Sequence, residues 1–176
     1  DYVGEHYRFT LMTPHFVPEK TNLPMTPITI AAVGPAMLRV AGRYCDGAQL
    51  HPFCTRRYVE EVVMKRVGEG LEKSNLTREN FEISGGGFIV TGPDQETVDK
   101  IFEYVRYRVA FYGSTRTYWP VFELHGLTEL GGKLHRLSKA GKWDEMAAEV
   151  SDEVVHLFAA VGCHDEIAKA IEDRFG

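Results

Sequence analysis

The stretch from Ile28 to His51 constrains the fold more than any other part of the chain. Ile28-Thr29-Ile30-Ala31-Ala32 is a short, nearly all-apolar run of the kind buried on both faces of a parallel sheet. Gly34-Pro35 punctuates it, and Ala36 to Tyr44 follows with a helical stripe at Met37, Leu38, Val40 and Ala41. Pro35 suits the first helical position, because the N–H it lacks would have no partner there. Gly47-Ala48-Gln49-Leu50-His51 then reads as a second strand. Strand, helix and strand within about 25 residues make a βαβ unit, whose crossover is right-handed.

The alternation continues. Arg56 to Lys73 is helical through Val59, Val62, Val63, Val67 and Leu71, and Phe81 to Val90 is a third strand interrupted by Gly85-Gly86-Gly87. Glycines inside a strand mark a bulge or the close approach of another backbone or a ligand. Asp94 to Tyr112 is the longest expected helix, with Val98, Ile101, Phe102, Val105, Val109 and Tyr112 on one face. From residue 117 onward the sequence predicts helices only: Tyr118 to Leu124, Glu129 to Lys139, Trp143 to Val150, Ser151 to Val161 and Asp165 to Phe175. Ser151 is placed to cap the fourth of these and Gly162 to close it. Residues 1–27, with Pro14, Pro18, Pro24 and Pro27, read as an irregular lead-in holding a short strand around Tyr7 to Leu11.

About three parallel strands with flanking helices, followed by a helical C-terminal region, leave a sheet with two bare edges. A whole (β/α)₈ barrel takes about 250 residues, against 176 here. The expected fold is therefore α/β, a partial TIM barrel. Residues 1–176 would form a single partial domain from the C-terminal portion of that barrel, its N-terminal half lying upstream of Asp1.

Charge and cysteine content narrow the partners. Lys plus Arg number 20 against 25 Asp plus Glu, a formal charge of −5 with the basic residues scattered, which argues against nucleic acid. A small-molecule substrate fits better, and bare sheet edges suggest a homo-oligomer. No run approaches the ~20 apolar residues of a membrane span. The three cysteines, Cys45, Cys54 and Cys163, form neither a Cys-x-x-Cys pair nor an even set, which fits a reducing cytoplasm.

Two constellations stand out. In Ile30-Ala31-Ala32-Val33-Gly34-Pro35-Ala36 a strand turns through small residues into a helix start, whose unpaired N–H groups suit a phosphate. The same run also suits an ordinary tight βα turn. His51-Pro52-Phe53-Cys54-Thr55-Arg56 puts a histidine, a hydroxyl and an arginine at the carboxyl end of a strand, where barrel sites lie. Equally, His51 would pack there, Thr55 cap the next helix and Arg56 stay solvated. Tyr112 to Trp119 is polar and aromatic enough to line a pocket. His125, His135, His156 and His164 are too scattered for a metal motif, and no Gly-x-Ser-x-Gly elbow occurs. No metal ligand and no catalytic residue is assigned.

Taken together, Pro27-Ile28-Thr29-Ile30-Ala31-Ala32-Val33-Gly34-Pro35-Ala36, the helix through Leu38 and Ala41-Gly42, and Asp46-Gly47 resemble the middle of the bacterial-luciferase-like monooxygenase superfamily. Phe111-Tyr112-Gly113-Ser114-Thr115, His125-Gly126-Leu127, Gly141-Lys142-Trp143 and Ser151-Asp152-Glu153-Val154 resemble its branch that uses the deazaflavin coenzyme F420. The resemblance implies an F420-dependent oxidoreductase, with FMN as the alternative cofactor. It also implies that Ala32, Val33, Gly34, Pro35 and Ala36 hold the cofactor phosphate, that Ala31 lies nearer the ring, and that His51, Thr55 and Arg56 face the substrate. The family's acid and base residues come from early strands that nothing here matches. A different outcome, a catalytically silent barrel fragment that self-associates, also stays open.

Overall fold

A computed structural model describes residues 2–11, 13–17, 19 and 21–175, so that Met12, Pro18 and Lys20 of the expected lead-in lie outside the described residues. The chain opens with an antiparallel hairpin of β1 (Tyr2–Val3) and β2 (Arg8–Phe9). The strand expected around Tyr7 to Leu11 is thus the second arm of a hairpin, and its aromatic residues Tyr2, Tyr7 and Phe9 remain exposed. A 3₁₀ turn, Pro14–Phe16, follows.

β3 (Thr29–Ala32), α1 (Pro35–Tyr44) and β4 (Gly47–Leu50) form the anticipated βαβ unit. The next helical run has three parts: α2 (Arg56–Tyr58), a π-helical turn (Val59–Val63) and α3 (Met64–Glu72). After it comes β5 (Glu82–Gly85), and β3, β4 and β5 are parallel in that order. One expectation fails at β3, which was to be buried on both faces. Only Ala32 is buried, Thr29 and Ala31 are exposed, and among the described residues no strand pairs with the outer edge of β3.

The expected third strand is two strands. β5 ends at Gly85 and β6 (Phe88–Gly92) begins beyond the glycines, whose φ values of +81°, +107° and +152° at Gly85, Gly86 and Gly87 are positive. A side chain would also collide there. A Cβ on Gly85 would sit 2.6 Å from the Leu50 carbonyl oxygen, and one on Gly87 would sit 2.5 Å from the Phe175 ring. The break lets one run of chain pair with β4 through its first half and with a different strand through its second.

That partner overturns the expectation of an all-helical tail. α4 (Gln95–Gly113), α5 (Trp119–Leu124), α6 (Thr128–Lys139), α7 (Trp143–Met146) and α8 (Asp152–Phe158) are helical, but α8 stops at Phe158. β7 (Ala159–Cys163) then pairs in parallel with β6, Ala159 opposite Phe88 and Cys163 opposite Gly92. Gly162 therefore sits inside a strand and closes no helix. Ser151 occupies the N-cap position of α8 without making the capping bond. The helix expected over Trp143 to Val150 continues beyond α7 only as a 3₁₀ turn, Ala147–Glu149. α9 (Ile167–Phe175) ends the fold as anticipated.

Packing follows from side-chain size. α4, capped by the Asp94 carboxylate accepting the Thr97 N–H at 2.8 Å, buries Val98, Val105 and Val109. Phe53 stacks on Phe158 at 4.4 Å and meets Phe122 edge-on at 5.1 Å, which fastens the segment after β4 to α5 and α8. α1 and α3 cross at glycines. A Cβ on Gly42 would lie 2.3 Å from the Val67 carbonyl oxygen, and one on Gly70 would lie 2.4 Å from that of Arg39.

Gly70→Ala should therefore destabilise the chain by roughly 1–3 kcal/mol, because the helices must move apart. Gly68→Ala on the same helix has nothing within 4 Å of the added methyl and should be neutral or stabilising, by up to about 1 kcal/mol. Urea unfolding of the two variants checks the contrast, and equal midpoints would show that the crossing is not close.

Candidate cofactor and substrate site

The carboxyl end of β3 runs straight into α1 through Val33 and Gly34. Gly34, the N-cap residue, has an extended backbone (φ −86°, ψ 160°) and no side chain to satisfy the helix start. With Pro35 carrying no N–H and the first helical bond running from Leu38 N–H to the Gly34 carbonyl at 3.1 Å, the N–H groups of Ala36 and Met37 have no acceptor within the helix. Ala36 is exposed, and nothing lies within 4 Å of where a Cβ on Gly34 would stand. Neither backbone conformation nor packing requires glycine here, so the free space in front of it faces outward. The turn fits an anionic group resting on backbone N–H groups, with the exposed Ala31 leaving room beside it.

β4 delivers the second wall. Phe53 donates its backbone N–H to His51 Nδ1 at 2.9 Å, and the His51 ring meets Tyr112 edge-on at 4.3 Å and Tyr118 at 4.9 Å. Burial lowers the His51 pKa, and the positive charge of Arg108 lowers it further. Ala32, Val33, His51, Phe53 and Tyr58 border a common cavity of about 10 Å³. Such a gap holds at most one water molecule and no larger ligand. The Tyr58 hydroxyl donates to the Val33 carbonyl at 3.1 Å and braces this turn from α2.

Thr55 and Arg56 occupy different environments from His51. Thr55 is 1% exposed; its oxygen accepts the Tyr58 N–H at 3.1 Å and so caps α2. Its hydroxyl also shares a hydrogen bond with His125 Nε2 at 2.8 Å. Arg56 is exposed and bonds the Glu60 carboxylate and the Asp173 carbonyl, both at 2.9 Å. Arg174 returns a bond to the Cys54 carbonyl at 3.0 Å, which ties α9 to the same loop. Burial pushes the Cys54 thiol up to about 11 and the Tyr58 phenol up to about 12. Of the three residues expected on the substrate side, His51 alone keeps a ring nitrogen free, since Nε2 has no hydrogen bond among the described residues.

Several contributors escaped the sequence. His125 reaches Thr55 across 70 residues, and no local pattern marks the pair. Arg108 bonds the hydroxyls of Tyr104 and Tyr112, each at 2.7 Å, from one face of α4. The four-residue spacing of Tyr104, Arg108 and Tyr112 was a legible signal for that cluster. Elsewhere, Cys163, Asp165 and Glu166 bring their ligand atoms within 4.8 Å of one another at the end of β7. Asp165 and Glu166 are exposed, and nothing at the cluster points to an ion.

Comparison with known proteins agrees with this fold. The luciferase-like monooxygenase family matches residues 1–176. An uncharacterized protein of Mycobacterium tuberculosis is 40% identical over 173 residues, which cover 98% of this chain and 51% of that protein. A 5,10-methylenetetrahydromethanopterin reductase of Archaeoglobus fulgidus is 28% identical over 179 residues, covering 98% of this chain and 50% of that enzyme. The coenzyme F420 dependent tetrahydromethanopterin reductase of Methanopyrus kandleri superimposes with a TM-score of 0.67 at 22% identity, over 84% of this chain and 41% of its own. The chain thus spans about half the length of the curated relatives it matches. With parallel strands, flanking helices and a family match along its whole length, the chain belongs to the luciferase-like monooxygenase family.

Proposed function

We propose that the chain supplies one half of a deazaflavin site in an F420-dependent oxidoreductase, which moves a hydride between the coenzyme and a small organic substrate. The observation that carries this reading is the open start of α1, where the Ala36 and Met37 N–H groups and the space before Gly34 are left to a ligand. Ala32, Val33, Gly34 and Ala36 would hold the phosphate on backbone groups, with Pro35 setting the direction of the helix. Ala31, exposed on β3, would lie against the ring. When bound, the deazaflavin supplies the hydride chemistry itself, and the protein supplies orientation and charge placement. His51 would face the substrate, while Thr55 and Arg56 hold the wall behind it through His125, Tyr58, Glu60 and Asp173. The reductases named above support this assignment of cofactor.

In the same proposal residues 1–176 form one partial domain, the carboxyl-terminal portion of a barrel, in a cytoplasmic enzyme. Its amino-terminal half would cover the free edges of β3 and β7 and bring the proton-transferring groups. No helix among the described residues is long and apolar enough to cross a membrane.

Gly34→Val should leave unfolding within about 0.5 kcal/mol of the parent, because the new side chain enters open space. It should weaken F420 binding by the full gene product about tenfold or more, roughly 1.4 kcal/mol, because the same space is where the phosphate approaches. Fluorescence titration with F420 and with FMN reads both cofactors. Unchanged F420 affinity would remove the phosphate site from this turn, and tight FMN binding without F420 binding would favour a flavin monooxygenase.

Residues 1–176 alone should associate and show no F420-dependent turnover, since β3 and β7 each pair on one side only and Met37, Val40 and Tyr44 form an exposed apolar stripe on α1. A monodisperse monomer in light scattering that reduced F420 with a substrate would contradict the half-site reading.

A further inference from the structure

We propose that His51 is a specificity-determining residue: a neutral imidazole fixed as the Nε2–H tautomer, which donates one hydrogen bond to an oxygen acceptor, such as a carbonyl, on the substrate. The substrate part rests on the oxidoreductase reading above, whereas the tautomer rests on this chain alone. The turn His51-Pro52-Phe53 is tightened by the Cys54 N–H bonding the Pro52 carbonyl at 2.8 Å, and it points the Phe53 N–H at His51 Nδ1 from 2.9 Å. A proton on Nδ1 would set two N–H groups head to head, so Nδ1 accepts and Nε2 carries the hydrogen. Nε2 has no partner among the described residues and is not among the sealed, unpaired polar atoms, so a ligand can reach it.

The groups packed around the ring agree on its neutrality. α4 contributes Tyr112 and the guanidinium of Arg108, which lies over the Tyr104 and Tyr112 rings at 5.6 and 5.2 Å. The turn before α5 contributes Tyr118, whose phenol is pushed up by burial and by Tyr112. α2 contributes Tyr58, and the loop itself contributes Cys54; both are held in their neutral forms by burial. Among the described residues Arg108 is the only charged group with a marked effect on His51, and it repels a proton. Among them no carboxylate stabilises an imidazolium, and the one reachable nitrogen carries its hydrogen. The ring is therefore a donor only. Arg108 bonds only the Tyr104 and Tyr112 hydroxyls among the described residues, so its positive charge stays uncompensated and disfavours a cationic group beside the ring. The group that suits the site is an oxygen acceptor.

The test is long-range ¹H–¹⁵N correlation on the full gene product labelled in histidine, with the His51 signals assigned by their loss in His51→Gln. The expected pattern is a protonated Nε2 and an unprotonated Nδ1 at about pH 7, with a titration midpoint below 6.5. The midpoint should move up in Arg108→Gln. N-methylacetamide at roughly 0.1 M, a concentration suited to so small a probe, should shift the Nε2–H resonance, and methylammonium should not. An Nδ1–H tautomer, an imidazolium at neutral pH, an unmoved midpoint in Arg108→Gln or an Nε2–H indifferent to N-methylacetamide would each overturn the assignment. Loss of F420 binding with all four His51 results as expected would count against the oxidoreductase reading alone.

Discussion

The Asp46 carboxylate accepts the Ile28 N–H at 2.7 Å, while its own backbone donates to the Ile28 carbonyl at 2.8 Å and accepts the Glu82 N–H at 2.9 Å. Three strands that are distant in sequence therefore begin on one level. Gly47 makes this possible, since a Cβ there would lie 2.8 Å from the Thr29 hydroxyl and 2.9 Å from the Glu82 carbonyl oxygen. Because each strand in this sheet is four residues long, a common start gives a common end. Val33, His51 and Gly86 consequently leave the sheet side by side. The open turn before α1 and the histidine wall are neighbours because their strands were aligned at the opposite end, by a residue that touches neither.

How much of this the sequence disclosed depended on the distance over which each feature is decided. β3, α1 and β4 were legible because a strand that is apolar throughout, a proline at the helix start and an Asp-Gly turn are all local devices. β7 was not. Ala159-Ala160-Val161-Gly162 follows α8 without a stop signal, and it becomes extended because Phe88 to Gly92 offers a parallel ladder about 70 residues earlier. The failure at Phe81 to Val90 has the same origin, for the glycines were visible but the two different partners they serve were not. At the site, His51 was found from its place at a strand end. Arg108 and His125 were missed because each acts through a side-chain contact that the fold creates, although the Tyr104, Arg108, Tyr112 spacing on α4 pointed toward the first.

His51 and His125 are both tied to the loop from Phe53 to Thr55. His51 accepts at Nδ1 from the Phe53 backbone N–H, and His125 Nε2 shares a hydrogen bond with the Thr55 hydroxyl. Burial lowers both pKa values, aided at His51 by Arg108 and at His125 chiefly by Arg57. The same loss of hydration that keeps the imidazoles unprotonated keeps Cys54 and Tyr58 from ionising, the first titrating at about 11 and the second at about 12. Burial thus biases each of these groups toward its uncharged form.

A wall biased toward uncharged groups suits one part of hydride chemistry better than another. A hydride needs donor and acceptor carbons held close and in line, and the surfaces around them must not trade protons with either. Small residues at the end of β3, a locked histidine after β4 and tyrosines held by Arg108 meet that demand. The proton that accompanies a hydride needs a group that can carry it, and burial holds His51, Cys54 and Tyr58 toward their uncharged forms. In the proposed enzyme the labour is therefore divided. The residues described here orient cofactor and substrate, and the proton arrives from a residue across the site, on the surface that faces the open side of β3.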